Sequence, residues 1–117
     1  MINELVGRVF AARDIAHKEH WRTNSYAQHM ALGSFYDALP GLIDSIVETY
    51  QGLNGLVEPE IVTSEMPDAF AEWLREEATW IESNREMISV GSDAIAALID
   101  DLTAEYLQTI YKLENLA

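Results

Sequence analysis

A chain of 117 residues supports one domain with a modest core and is too short for two, and a hydrophobic content of 49% argues against disorder. The absence of cysteine excludes disulfides, thiolate zinc sites and cysteine nucleophiles. A formal net charge of −13, with no Lys or Arg among residues 23–74 to balance the eight acids there, repels nucleic acid and anionic membranes and concentrates cations.

The N-terminal stretch Met1 to Val6 has neither the basic segment nor the apolar core of a signal peptide. No apolar run approaches the roughly 18 residues of a membrane span, so the expected location is the cytoplasm. Residues 3–22 carry Leu5, Val9, Ala12 and Ala16 at helical spacing, with Asn3 available as a cap. Residues 22–25 form a turn, and Asn24 or Ser25 caps a second helix running to about Tyr50. Its apolar stripe is Ala31, Phe35, Leu39, Leu42 and Ile46, and Gly52, Asn54 and Gly55 are expected to stop it.

The segment 52–65 is the only long connection, and its run Val57 to Val62 is too short and isolated to build a sheet. Pro67 is expected to open the third helix, with Asp68 in its first turn facing the helix dipole favourably. Phe70, Trp73, Leu74, Trp80, Ile81 and Ile88 give that helix its apolar face. A break at residues 89–92 precedes the last helix, capped by Ser92, with Ile95, Ile99, Leu102, Tyr106, Ile110 and Leu113 at steps of three or four. The pattern specifies a single all-α domain over 1–117, an antiparallel four-helix bundle. The long connection allows a crossover that places helices two and three parallel.

All three histidines lie between His17 and Glu48, a segment that also holds Asp37, Asp44 and Glu48. Imidazole and carboxylate are the ligands a protein offers to iron, manganese or zinc. His17 and His20 share a face near the end of the first helix, and His29 opens the second across a short turn, so His20 and His29 approach one another. On the second helix His29, Gly33, Asp37, Asp44 and Glu48 form one stripe opposite the apolar one. Asp44 and Glu48 stand one turn apart, and a cation between them relieves their repulsion. His29 and Glu48 are separated by about 28 Å of helix axis, too far for one metal. Two antiparallel copies related by a two-fold axis bring His29 of one near Asp44 and Glu48 of the other, so the expected unit is a homodimer or a larger homo-oligomer. Without a second subunit the same residues are simply a polar helix face.

The residues His17-Lys-Glu-His20-Trp21, His29, Phe35-Tyr36-Asp37, Asp44-Ser-Ile46 and Glu48 resemble the signature of Dps-type mini-ferritins, in the short form of ferritin-like proteins from phage genomes. The closing Thr109 to Leu113 is similar to that family's last helix. The resemblance implies a ferritin-like bundle and an iron site shared across a two-fold interface, with His20 and His29 from one subunit and Asp44 and Glu48 from the other. It also implies Fe(II) oxidation by peroxide or oxygen, with other divalent metals able to bind. Trp21 would stand beside the metal, and His17 would be a secondary ligand. Gly33 replaces an acid of the family pattern, and Asp37 one turn on is the candidate substitute. Pro40 falls mid-helix and is expected to bend it.

A conventional di-iron bundle uses Glu-x-x-His pairs, and none occurs here. The rival of a different class is a non-catalytic binding or structural module, such as a phage protein acting on a host partner. No Gly-rich phosphate loop or basic patch supports nucleotide or nucleic-acid binding.

Overall fold

The computed structural model describes residues 1–117 and contains four helices and no strand: α1 (Ile2–Arg22), α2 (Tyr26–Asn54), α3 (Phe70–Ser89) and α4 (Asp93–Asn115). Two of the expected caps are present. The Ser25 hydroxyl accepts the Gln28 N–H at 3.2 Å, and the Ser92 hydroxyl accepts the Ile95 N–H at 3.2 Å. Each satisfies one of the donors that a helix start leaves without a ladder partner.

Three expected boundaries move. Met1 occupies the cap position of α1, no side chain caps it, and Asn3 lies inside the helix. Gly52 does not end α2, which continues to Asn54 and stops at Gly55, whose φ of 93° suits a residue without Cβ. Pro67 does not open α3, which begins at Phe70. The Pro67 carbonyl instead accepts a hydrogen bond from Arg22 Nη2 at 2.9 Å, which holds this residue beside the end of α1.

The apolar stripes meet in one core of 22 residues drawn from all four helices. On α2 the core side is Leu32, Phe35, Leu39, Ile43 and Ile46; Leu42, expected there, is half-buried at its margin. Tyr106 is fully buried, with its ring edge-on to Phe35 at 5.1 Å, and burial pushes its phenol far above the ordinary range. Pro40 lies inside α2, and the helix continues through it.

Helix α1 packs on α2, α2 on α4, and α4 on α3, while α1 and α3 touch only lightly. The connection 55–69 explains this order. Glu60 and Val62 lie over Gly7 near the start of α1, and Pro67 lies beside Arg22 at its end. The segment therefore climbs the length of α1 as a strap and returns the chain to the end where α2 began. Helices α2 and α3 are consequently parallel and diagonal, and each neighbouring pair in the bundle is antiparallel. The molecule measures 44 × 24 × 21 Å, and its long axis matches a helix of α2's length at about 1.5 Å per residue.

Candidate functional site

The turn between α1 and α2 brings His20 and His29 into direct contact. Their rings stack with centroids 3.5 Å apart and planes inclined by 19°. Each ring bonds to the other residue's backbone: His20 Nδ1 donates to the His29 carbonyl at 2.7 Å, and His29 Nδ1 donates to the His20 carbonyl at 2.8 Å. A carbonyl oxygen can only accept, so both Nδ1 atoms must carry the proton. In the neutral rings each Nε2 then keeps its lone pair, the form in which imidazole binds a metal. The His20 carbonyl belongs to the last turn of α1, where carbonyls lack helical donors, so the bond also helps to close the helix end.

An aromatic cluster backs this pair. The His17 ring stacks on Tyr36 at 4.1 Å and lies 4.7 Å from Trp21, while Tyr36 stands edge-on to His20 at 5.4 Å. His17 is 6.1 Å from the His20 ring, so it supports the cluster as a packing surface. Trp21 is 69% exposed, and Tyr26 and Met30 in the first turns of α2 are exposed as well. Gly33 faces the pair: a Cβ there would stand 3.4 Å from His20 Cε1. Tyr36 and Gly33 complete this arrangement, nearly one helical turn apart on the α1 side of α2.

The acids stand elsewhere. Asp37, Asp44 and Glu48 are exposed on α2, and none of them makes an ion pair or a side-chain hydrogen bond. Within one chain no group of three or more His, Asp or Glu side chains converges on a common point. The protomer thus presents two juxtaposed imidazoles and, farther along α2, a separate row of carboxylates. His29 is half-buried against α1, not turned to solvent with the acids as the helical stripe alone implied.

A second polar cluster lies outside the histidine segment. Arg8 donates to Glu77 at 2.8 Å and to Glu4 at 3.0 Å, and its guanidinium lies 4.3 Å from the Trp80 ring centroid. It bridges α1 to α3, the lightly packed pair. Burial pushes the Glu77 carboxyl above its ordinary value, and Arg8 offsets this only in part. Glu77 on the apolar stripe of α3 is therefore a paired residue across a helix seam.

Fold and site together define a small four-helix bundle with one long crossover and a histidine pair clasping its first two helices. The chain belongs to a family of unknown function, DUF5856, whose model matches residues 20–113. It is 30% identical over 114 residues to an uncharacterized 14.6 kDa protein from the mobD–ri intergenic region of Enterobacteria phage T4, covering 95% of this chain and 86% of that protein. No solved structure matches. No helix is long and apolar enough to cross a membrane.

Proposed function

We propose that this protein binds divalent metal, with Fe(II) as its substrate, at a site completed by two protomers. His20 and His29 of one chain supply nitrogen ligands, and Asp44 and Glu48 of the second supply oxygen ligands, with Asp37 as a further candidate. The observation that carries this reading is the reciprocal Nδ1–carbonyl bonding, which orients two adjacent imidazoles and leaves both Nε2 atoms as the free ligating positions. The unpaired acids on the outer face of α2 supply the negative charge that a ferric product requires. A bundle with a single long crossover is also the topology of ferritin-like folds. The electron acceptor would be peroxide or oxygen, and the phage relative suggests the host cytoplasm as the place of action.

Anaerobic Fe(II) titration followed by peroxide, with native mass recorded alongside, tests the reading. Binding should be lost in His20→Ala and in Glu48→Ala, and the loaded species should be at least a dimer. A monomer that binds no metal would sink the proposal.

The same clasp favours a second reading. Stacked, mutually hydrogen-bonded histidines also fix the α1–α2 turn without any metal, as a non-catalytic module with a protein partner would need. In that case His20→Ala lowers stability, and metal uptake is absent in the parent chain as well.

A further inference from the structure

We propose that the strap is a docking edge, accepting an extended segment of a partner protein as an added β-strand, and that this segment alternates basic and apolar side chains. The inference does not depend on the metal site. From residue 58 to residue 66 no main-chain N–H or C=O is hydrogen bonded within the chain; the bonds nearest this stretch are the Val57 N–H to Gln51 Oε1 and Arg22 to the Pro67 carbonyl.

The strap nevertheless follows an extended path. From Glu60 at Gly7 to Pro67 at Arg22 it follows about 22 Å of α1 in seven steps, close to the rise of about 3.3 Å per residue of an extended chain. Its side chains are exposed from Glu60 to Glu65 except at Val62, which is half-buried against Gly7. Glu60, Val62 and Ser64 line a 350 Å³ cavity with Trp73 and Glu77 on the α3 side. Ile61 is 94% exposed.

A groove runs beside the strap on its other flank. Two adjoining cavities of 260 and 220 Å³ share Ala11, Asp14, Ile61 and Val62, with Phe10 at one end and Lys18 at the other. From Val6 to Lys18 the groove follows about 18 Å of helix, room for five or six extended residues. Strand addition supplies affinity through main-chain bonds and specificity through alternate side-chain pockets.

Charge chooses the occupant. Glu58, Glu60 and Glu65 on the strap and Asp14 in the groove outnumber Lys18, the one cation there. A second copy of the strap would set glutamates against glutamates, which destabilises a strand pair. A basic, apolar segment has the complementary pattern.

The test uses the full chain and three eight-residue probe peptides alternating Lys–Val, Glu–Val and Lys–Ser. The Lys–Val peptide should slow hydrogen exchange at amides within 60–66 and bind in a salt-dependent manner. The other two should bind at least about tenfold more weakly, a difference readily resolved by titration. Ile61→Asp, outside the core, should keep the thermal midpoint while weakening Lys–Val binding by a similar factor. No amide protection at millimolar peptide overturns the proposal, as does equal binding of the Lys–Ser peptide, which marks mere charge attraction. A doubled mass without peptide, accompanied by protection of the strap, overturns it in favour of self-pairing.

Discussion

Gly7 and Gly41 both lie inside helices, yet their surroundings differ completely. A Cβ at Gly41 meets nothing within 4 Å, whereas at Gly7 it would lie 2.5 Å from Val62 Cγ2 and 2.9 Å from the Glu60 carbonyl oxygen. Gly41→Ala should therefore stabilise the fold by about 0.5–1 kcal/mol, the helix-propensity gain alone. Gly7→Ala gains the same amount but overpacks the strap contact, at about 1–3 kcal/mol. Urea denaturation should show opposite shifts for the two variants, with Gly7→Ala also nicked earlier by protease within residues 56–66. Equal stabilisation by both would contradict the close approach of strap and helix.

Glu77 carries a pH signature of unusual sign for a carboxylate. Its value in the folded chain lies above the ordinary 4.5, because burial outweighs the attraction of Arg8. In the window above 4.5 the folded chain holds a proton that the unfolded chain releases. Its stabilising contribution is thus complete below about pH 4.5 and lost as pH rises through the folded value. Glu77→Gln cannot ionise and escapes that loss. Its stability relative to the parent should climb between pH 4 and pH 7; a difference independent of pH would show that Arg8 fully compensates the burial.

At the scale of the element, helix α2 carries most of the candidate site residues, and its start is capped by one hydroxyl. Ser25→Ala removes the acceptor for the Gln28 N–H and should cost about 1 kcal/mol. It should also loosen the His29 ring, visible as a change in the imidazole NMR signals of both His20 and His29. An unchanged spectrum would mean that the clasp holds the turn without the cap.

The elements themselves were readable because apolar residues recur every three or four positions, and the caps at Ser25 and Ser92 follow from the same chemistry. The boundary at Pro67 misled, and of the residues expected to stop α2 it is Gly55, not Gly52, that does so. An exposed glycine near a helix end weakens the helix without stopping it, and Gly55, with its positive φ, is the true terminus. Pro67 is compatible with a first helical turn, but its carbonyl is held by Arg22 and the chain is still in the strap. The meeting of His20 and His29 was legible from a three-residue turn between two helices. Their mutual Nδ1–carbonyl bonds were not, since these depend on ring rotations that spacing does not encode. The Arg8–Glu77 bridge escaped for a different reason: its partners are 69 residues apart, and only the crossover brings them together.

For the molecule as a whole, helical periodicity fixes four rods but leaves their order open, and the length of the connection allowed a crossover without saying where it runs. Its path was hidden in the single atom that Gly7 lacks. That path has a consequence for how the chain assembles. The α1–α2 and α3–α4 hairpins each close through short turns and local contacts, at small loop-closure entropy. The α2–α4 contact joins them across the bundle, and the strap keeps the two halves within reach of each other. A chain cut in the strap would leave two hairpins whose complementary apolar faces can still recombine, so the covalent link acts chiefly as a tether that sets the effective concentration of one half for the other.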